Sequence, residues 1–522
     1  MTLSLPRRRL ILGLTGTLAA PLVARATALG EPDDPFALGV ASGEPWPDGF
    51  VIWTRLKSLG PPEDWRSGPQ TVTWQVAEDE AFQHIVRRGG VRTDPRLDHA
   101  VHVEVSGLRP GRLYWYRFEA LGARSRTGRS QTAPFPLAAP ATLKLAVASC
   151  AAYENGYYSA YRHMAAESPD LVLFLGDYIY ESSHAQGAAA VRSHDPIAEA
   201  VDLAGYRARY SQYKTDPDLQ ALHAAAPALM TWDDHEVHND YSGDYDWDPQ
   251  VTVEAFRRRR AAAYQAFWEN MPLRRRSRPG GPWMRVFDRF RWGRLAMIHM
   301  ADSRQYRAAE ACARPQTRRG FVPPPDCTDI NDPERALLGA EQETWLADGL
   351  TRSEATWNII GQGLMVAPFL QRNPTTGWEG HYTDTWDGYP AGRQRVLDMI
   401  SAARPSNPVF FSGDIHSFWA NDLSANASRP EDAPVATEFV GTSITSDPPR
   451  HDAFRPTLGK NGQVKFFEDE FRGYISAEAT AEHMTVRYQV ISDRTDPRAT
   501  VRTLQTFVIE NGKAGVAPAT SS

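Results

Sequence analysis

The sequence predicts a mixed α+β protein in which a β-sandwich is followed by a larger region of alternating strands and helices. Between residues 36 and 132, short runs of β-branched and aromatic residues are separated by turn residues, which is typical of a sandwich. Residues 131–140 contain three prolines among small residues and predict an interdomain linker. From residue 141 to 510, short apolar runs alternate with longer helical stretches, which indicates α/β architecture.

The individual elements follow from these runs. Four runs predict the strands of the sandwich, at 50–53, 72–76, 101–105 and 113–118. Eight further runs predict strands of the second region, at 143–148, 171–175, 229–232, 295–300, 357–360, 409–412, 484–490 and 506–509. A stretch that includes residues 158–167 is long enough to form a crossover helix between the first two of these strands.

Length and charge limit the function classes. Dividing 522 residues by about 150 suggests roughly two to four domains. Hydrophobic residues make up 42% and charged residues 23%, which is ordinary for a globular protein. The formal net charge is −6, and removal of residues 1–28, with four Arg and no acidic residue, changes it to −10. An acidic mature chain argues against nucleic-acid binding through a general basic surface.

Residues 1–28 have the plan of a signal peptide. Three consecutive arginines at 7–9 precede an apolar run at 10–24 and small residues at 26–28. The apolar run contains a proline and is shorter than the roughly 20 residues of a spanning helix, so we expect no stable membrane span. The arginines indicate export by the twin-arginine translocase, with a general secretion signal as the alternative. We therefore expect a periplasmic or secreted protein.

The chain contains three cysteines. Cys312 and Cys327 flank an irregular stretch rich in Pro and Arg, and an exported protein meets oxidising conditions. We predict a disulfide between them, which would contribute about 3 kcal/mol to stability. Cys150 is left over, and such a cysteine is either buried and inert or chemically employed.

Polar residues follow six of the predicted strands of the second region. Because ligands bind outside the carboxyl ends of strands in open α/β sheets, we expect these residues to converge on one site. They are Ser149-Cys150, Gly176-Asp177, Asp233-Asp234-His235, Ala301-Asp302, Gly361-Gln362 and Gly413-Asp414-Ile415-His416.

These residue types favour a centre of two different metal ions. Tyr180 lies three residues beyond Asp177, and a phenolate, a thiolate and a carboxylate together are donors that stabilise ferric iron. The aspartates of the other strand ends suit a harder cation such as Ca²⁺, Mg²⁺ or Mn²⁺. Two cations sharing Asp177 would lower the pKa of a bound water and neutralise a phosphoryl group, which predicts phosphate-ester hydrolysis.

Four motifs carry a resemblance to a known family. Ser149-Cys150, Gly176-Asp177-Tyr178-Ile179-Tyr180-Glu181, Trp232-Asp233-Asp234-His235-Glu236 and Ser412-Gly413-Asp414-Ile415-His416 resemble the PhoD-like alkaline phosphatases. That family is related to the calcineurin-like and purple-acid-phosphatase metallophosphoesterases. The resemblance covers nearly the whole chain. It implies an immunoglobulin- or fibronectin-like β-sandwich, then a four-layer αββα metallophosphoesterase domain at 141–510, and a twin-arginine signal.

The resemblance also implies metal ligands at matching positions. The residues implied to hold Fe³⁺ are Cys150, Asp177, Tyr180 and His416. Asp177 would bridge to a second site that Asp234 and Asp414 complete, where Ca²⁺ is expected and Mg²⁺, Mn²⁺ or Zn²⁺ is the alternative.

The implied catalytic residues are His235, Asp177 and Asp234, with His235 facing the leaving oxygen or the phosphate. Asn239 and Arg260 are implied to contact phosphate or a further calcium ion.

Several positions keep two interpretations. Asp233 is either a turn residue that supports a ligand or a ligand itself, and Asp302 is either a ligand or the cap of a following helix. The role of Gln362 is open. The arginine runs at 257–260 and 274–276 form either a solvated surface or a collar around phosphate.

The sequence therefore predicts an exported metal-dependent phosphoesterase. A metal-activated hydroxide would attack phosphorus in monoesters, diesters or both, while two cations, an Arg and His235 stabilise the developing charge without a covalent enzyme intermediate. Loops such as 310–332 would set substrate selectivity. The alternatives are a phosphodiesterase or phospholipase D-type activity on lipid or polymer diesters, and a non-catalytic, metal-dependent surface-binding protein. Serine-hydrolase and phosphate-loop motifs are absent from the sequence.

Overall fold

The computed structural model describes residues 34–57, 64–183, 190–312, 327–448 and 451–518. The predicted signal peptide at 1–28 lies outside the described residues, as does most of the loop 310–332. Within the described part, no helix has both the length and the apolar character needed to cross a membrane.

The described chain contains strands and helices throughout. The strands are β1 Val40–Trp46, β2 Gly49–Arg55, β3 Thr71–Ala77, β4 Ile85–Arg92, β5 Ala100–Val105, β6 Leu113–Ala120, β7 Ala123–Arg124, β8 Gly128–Gln131, β9 Leu143–Ala148, β10 Leu171–Leu175, β11 Ala228–Thr231, β12 Asp288–Trp292, β13 Ala296–Met300, β14 Trp357–Gly361, β15 Gln371–Arg372, β16 Glu379–Gly380, β17 Pro408–Ser412, β18 Phe418–Ser424, β19 Pro434–Val440, β20 Val464–Glu468, β21 Gly473–Ala479, β22 His483–Ile491, β23 Val501–Glu510 and β24 Ala517–Pro518. The helices are α1 Ser159–Ala166, α2 Leu203–Lys214, α3 Pro217–Ala225, α4 Val253–Asn270, α5 Gly339–Thr351, α6 Pro390–Ala403 and α7 His451–Phe454.

Two large sheets pack face to face. One has ten strands in the order β24-β23-β22-β21-β9-β10-β11-β1-β2-β5, and the other has seven in the order β12-β13-β14-β17-β19-β18-β20. Strand β9 is buried on both faces, because Leu143, Leu145 and Val147 join the core between the sheets while Ala146 and Ala148 face the helices. Parallel strands covered on both sides are apolar throughout, which explains the continuous apolar runs in the sequence.

Helices cover both outer faces. Residues of α1, α2, α3 and α4 share one core with the ten-stranded sheet, and residues of α5 and α6 share another with the seven-stranded sheet. Asp202, Asp216 and Thr252 cap the N-termini of α2, α3 and α4 by accepting backbone N–H groups. The arrangement is the four-layer αββα architecture that the sequence predicts.

The N-terminal β-rich domain is joined directly to the large sheet. Strands β1, β2 and β5 extend the ten-stranded sheet, while β3, β4, β6, β7 and β8 form a separate five-stranded sheet. Between the two lies a core that includes Phe50, Ile52, Val72 and Tyr116. The sequence predicts a sandwich domain at 36–132 and a linker at 131–140; in the structure, β1 of the N-terminal region also pairs in parallel with β11, at Gly43 and Ala228.

The predicted disulfide between Cys312 and Cys327 is confirmed. Cys150 is a free, buried cysteine.

Candidate active site

Four of the six strand ends bring chemistry-bearing side chains together. Cys150 follows β9, Asp177 follows β10, Asp234 and His235 follow β11, and Asp414 and His416 follow β17. Within each of three groups, the metal-ligating atoms lie no more than 4.8 Å from one another. The groups are Cys150, Asp177 and His416; Asp177, Asp234 and His235; and Asp233, Asp234 and Asp414. Asp177 and Asp234 each belong to two groups, so the three groups form one continuous cluster.

The backbone at these strand ends is held in an uncommon conformation. The φ angles are 59° at Cys150, 51° at Asp177, 66° at Asp414 and 52° at His416, in the left-handed region that side chains disfavour. Surrounding contacts hold these conformations: Cys150 N–H donates to the Gly176 carbonyl at 3.2 Å. Residues kept in such conformations cluster at functional sites.

A glycine is required where two of the loops meet. Gly176 has φ 108°, and a Cβ atom there would lie 2.4 Å from the Asp233 Cβ atom. Only glycine allows the loop after β10 to approach the loop after β11 this closely, and that approach brings Asp177 beside Asp234.

Tyr180 and His416 stand beside Cys150 and Asp177. The Tyr180 hydroxyl donates to Asp177 Oδ2 at 3.1 Å, lies 3.2 Å from His416 Nε2, and accepts a hydrogen bond from Ser446 Oγ at 2.7 Å. His416 Nδ1 donates to the Asp447 carbonyl at 2.8 Å, so the Nε2 lone pair faces the cluster. Burial raises the pKa of the Cys150 thiol and of the Tyr180 phenol, because their anions lack compensating charge.

The aspartates form a concentration of negative charge. Burial and neighbouring carboxylates raise the pKa of Asp177 and of Asp414 well above the usual range. Asp234 Oδ2 accepts the Asp240 N–H at 2.7 Å, but Asp234 Oδ1 is buried without a hydrogen-bond partner among the described residues. Asp234 Oδ1 is 3.6 Å from the Arg304 guanidinium, and a buried carboxylate oxygen beside other carboxylates belongs to a donor set that cations satisfy. The residues therefore fit bound metal ions.

His235 is oriented by a buried glutamate. His235 Nδ1 lies 2.7 Å from Glu181 Oε2, and Glu181 Oε1 accepts the Asn239 N–H at 3.0 Å. Burial alone would lower the pKa of His235, but Asp234, Glu181 and Asp177 outweigh burial and raise it. The raised pKa favours the protonated imidazole, whose Nδ1 faces Glu181.

Arg304 lies underneath the cluster. Its guanidinium bonds to both carboxylate oxygens of Asp233, to both of Asp384 at 2.9 Å, and to Asp414 Oδ1 at 3.4 Å. Burial raises the pKa of Asp233 to about 6 even though Arg304 acts to lower it. Asp233 is thus engaged by Arg304, while its oxygens still lie within the third ligand group.

The cluster opens into a cavity of about 230 Å³. The residues that line it are Asp177, Asp234, His235, Asn239, Asp240, Gln371, Tyr382, Asp384, Thr385, Asp414, Ile415, His416 and Phe454. Five of these residues are aspartates, and Ile415 and Phe454 add apolar surface to the lining.

Some predicted residues lie elsewhere. Contrary to expectation, Arg260 does not line the cavity: its guanidinium is buried and bonds to Asp244 at 2.7 Å and to the carbonyls of Pro282 and Gly243. Asn239, by contrast, lines the cavity.

The open positions are also resolved by their contacts. Asp302 accepts the N–H groups of Arg304 at 2.9 Å and Gln305 at 3.0 Å, as a turn residue does. Gln362 bonds to Ser412 Oγ at 2.8 Å and to Leu364. Neither residue lines the cavity.

The arginine runs pair with acids. Arg257 pairs with Asp244, Arg259 with Glu199, and Arg274 with Glu44. No arginine of the two runs lines the described cavity, so they form no collar around it.

Arg304 and Tyr382 are site residues that sequence reasoning did not identify. Arg304 follows Asp302 by two residues, which is a weak signal in a chain where 51 of the 57 basic residues are Arg. Tyr382 lies in a loop outside every motif, so the sequence carries no signal for it.

Comparisons with known proteins agree with this geometry. A family model for PhoD-like phosphatase matches residues 145–488, and one for the PhoD-like phosphatase N-terminal domain matches residues 23–134. The chain belongs to the PhoD-like phosphatase family. Alkaline phosphatase D of Bacillus subtilis (strain 168) is 41% identical over 500 residues, which is 94% of this chain and 83% of that protein. A solved structure described as "Structure of PhoD" is 40% identical with a TM-score of 0.86, and the match covers 95% of this chain and 94% of that one.

Membership in the PhoD-like phosphatase family confirms the enzyme class that the motifs predict, a phosphoric ester hydrolase. The three ligand groups are consistent with a metal-dependent phosphatase.

Proposed function

We propose that this PhoD-like phosphatase is an exported, metal-dependent enzyme that hydrolyses phosphate monoesters, diesters or both at the cavity described above. The observation that supports this proposal is the convergence of Cys150, Asp177, Asp234, Asp414 and His416 from four separate strand ends. Turn aspartates are common singly, but a shared cluster of a thiol, an imidazole and several carboxylates has a chemical purpose. Family membership favours this enzyme over a non-catalytic surface-binding protein.

The proposed metals are Fe³⁺ and Ca²⁺. Cys150, Asp177, Tyr180 and His416 would hold Fe³⁺, because thiolate, phenolate and carboxylate anions stabilise a ferric ion. Asp177 would be shared with a second site of Asp234 and Asp414 for Ca²⁺, with Mg²⁺, Mn²⁺ or Zn²⁺ as alternatives. When bound, the two cations supply positive charge for the phosphoryl group and an activated water for its hydrolysis.

The remaining steps belong to the protein's own side chains. Glu181 fixes the imidazole of His235 through Nδ1, so that Nε2 is presented to the cavity. A protonated Nε2 donates to the phosphoryl group or gives its proton to the leaving oxygen. The Asn239 amide lines the same cavity and orients the phosphoryl group. No side chain is required to form a covalent intermediate.

Export by the twin-arginine translocase is proposed from residues 1–28, whose three arginines precede a short apolar run. Ile415 and Phe454 contribute apolar surface to the cavity for an organic substituent, which is compatible with diesters, including phospholipase D-type substrates, as well as with monoesters.

Turnover with two chromogenic substrates tests the proposal. p-Nitrophenyl phosphate reports monoesterase activity and bis(p-nitrophenyl) phosphate reports diesterase activity, each measured before and after removal of metals by a chelator. We expect activity that the chelator abolishes, and Asp177→Asn should lower kcat by at least about 10³-fold, because Asp177 would contribute to both metal sites. The Asp432→Asn variant, at an exposed ion pair with Arg429, is the control and should keep full activity. Turnover that survives both chelation and Asp177→Asn would contradict the proposal.

A further inference from the structure

Tyr382 presents an unused hydroxyl at the wall of the cavity. The side chain is half-buried and lines the cavity with Asp240, Asp384 and Asp414. Its hydroxyl has no hydrogen-bond partner among the residues that the structure describes. The hydroxyls of Tyr180 and Tyr389, by contrast, are hydrogen-bonded to protein groups. A polar group on a side chain that lines a cavity, with no hydrogen-bond partner among the described residues, is available to a ligand.

The loop that carries Tyr382 is held in place without help from this hydroxyl. Asp384, two residues later, forms ion pairs with both Arg304 and Arg307. Thr385 Oγ1 donates to the Tyr382 carbonyl at 3.0 Å, and the imidazole of His381 pairs with Asp387 at 3.3 Å. The backbone at Tyr382 and the residues beside it are therefore held by contacts that do not use its hydroxyl, which leaves the hydroxyl available to an incoming group.

The same contacts fix Tyr382 relative to the proposed metal ligands. The Arg304 guanidinium that bonds to Asp384 also bonds to Asp233 and contacts Asp414 at 3.4 Å. One buried cation thus ties the loop of Tyr382 to the loops after β11 and β17. The position of Tyr382 relative to a phosphoryl group bound at those loops would therefore be fixed by the fold.

Apart from Tyr382, the side-chain donors at the cavity wall that could serve phosphoryl oxygens include His235, Asn239 and Gln371. No Lys or Arg is among the described residues that line it, and five of those residues are aspartates. Thr385 Oγ1 already donates to a carbonyl. Burial and the carboxylates of Asp240 and Asp384 raise the pKa of the Tyr382 phenol.

We propose that the Tyr382 hydroxyl is a further catalytic residue, which donates a hydrogen bond to a non-bridging oxygen of the substrate's phosphoryl group. This inference rests on the proposed function. The phenol would strengthen its hydrogen bond as negative charge develops on that oxygen in the transition state, so it contributes to kcat as well as to phosphate binding.

The test compares Tyr382→Phe with Tyr389→Phe. Tyr389 lies seven residues later, is fully buried, and donates its hydroxyl to the Ala308 carbonyl at 2.8 Å. Hydrolysis of both p-nitrophenyl esters, metal content, thermal unfolding, and calorimetric binding of inorganic phosphate are measured for wild type and both variants. We expect Tyr382→Phe to lower kcat/KM about 10- to 100-fold and to weaken phosphate binding several-fold, with metal content and Tm unchanged. Tyr389→Phe should lower Tm and leave turnover per folded molecule unchanged.

Each other outcome has a distinct meaning. Unchanged kcat/KM and phosphate affinity in Tyr382→Phe would overturn the role of Tyr382 while leaving the proposed function intact. Loss of metal from Tyr382→Phe would also overturn it, because the phenol would then be a metal ligand. A wild-type protein that hydrolyses neither ester would contradict the proposed function itself; phosphate binding that still weakens in Tyr382→Phe would then support the contact with phosphate alone.

Discussion

The guanidinium of Arg304 is the buried positive charge that the aspartates of the site share. It bonds to Asp233 and Asp384 and contacts Asp414, and all of its atoms are shielded from solvent. Carboxylates taken out of water are costly unless a charge or several hydrogen bonds compensate them. Arg304 therefore supplies positive charge that compensates the buried carboxylates of Asp233 and Asp384.

Replacement of Arg304 by Met should lower the free energy of unfolding by about 3–5 kcal/mol, because it removes the ion-pair partner of the buried Asp233 carboxylate. Urea denaturation at neutral pH measures the change. The matched control is Arg257→Met, whose ion pair with Asp244 has a half-exposed Arg side chain and should leave the unfolding midpoint nearly unchanged. An equal loss of unfolding free energy in the two variants would show that the ion pairs of Arg304 contribute no more to stability than the exposed ion pair of Arg257.

For individual residues, the sequence predicts candidate metal ligands but not the residues that orient them through hydrogen bonds. Cys150, Asp177 and His416 could be predicted because each residue type follows a strand and matches a motif. The contact between Glu181 and His235 could not, because it joins positions 54 residues apart whose mutual orientation only the folded loops define. Arg260 lies in an arginine-rich stretch, but the sequence does not reveal that its guanidinium forms an ion pair with Asp244.

Among the elements, strand β1 decides how the N-terminal domain meets the catalytic sheet. It is antiparallel to β2 on one side and parallel to β11 on the other, where Gly43 faces Ala228. A Cβ atom on Gly43 would lie 2.5 Å from the Pro272 carbonyl oxygen and 2.8 Å from that of Ala228. Both neighbours are backbone atoms, so a side chain cannot be accommodated by a change of rotamer.

Gly43→Ala should therefore destabilise the protein by about 1–3 kcal/mol, as overpacking against fixed atoms does. Thermal unfolding with a circular-dichroism readout measures the loss. Gly68→Ala is the control, because nothing lies within 4 Å of a Cβ atom at that position and its Tm should be unchanged. A Gly43→Ala protein as stable as wild type would mean that β1 and β11 can separate at little cost.

Strands could be predicted from the sequence where a continuous apolar run marks them. The bounds of β9 and β10 agree with the apolar runs 143–148 and 171–175. Strand β21 was missed, since Ser476 and Glu478 interrupt its apolar pattern. Its partner is β9, more than 300 residues earlier, and such a pairing is fixed by packing of the whole sheet.

At the scale of the whole molecule, the site is a junction between the two large sheets. Cys150, Asp177 and Asp234 come from ends of the ten-stranded sheet, and Asp414 and His416 come from the seven-stranded sheet. The loops touch directly, because a Cβ atom on Gly413 would lie 2.5 Å from Ser149 Oγ. Burial, together with the carboxylates of Asp233 and Asp234 from the other sheet, raises the pKa of Asp414, so carboxylates from the two sheets repel one another there. Cations that bind both sets would oppose this repulsion and link the sheets.

Calcium should therefore stabilise the entire fold. A ligand that binds only the folded state at 100 times its Kd adds about 3 kcal/mol, so Tm of the chelator-treated protein should rise when Ca²⁺ is added. Asp414→Asn removes one anionic ligand from the seven-stranded side and should abolish most of that rise, while Asp432→Asn, far from every ligand group, should keep it. Differential scanning calorimetry measures both. If Asp414→Asn and wild type respond equally to Ca²⁺, the cation does not join the two sheets through Asp414, and the electrostatic repulsion at their junction must be relieved by protonation of the carboxylates instead.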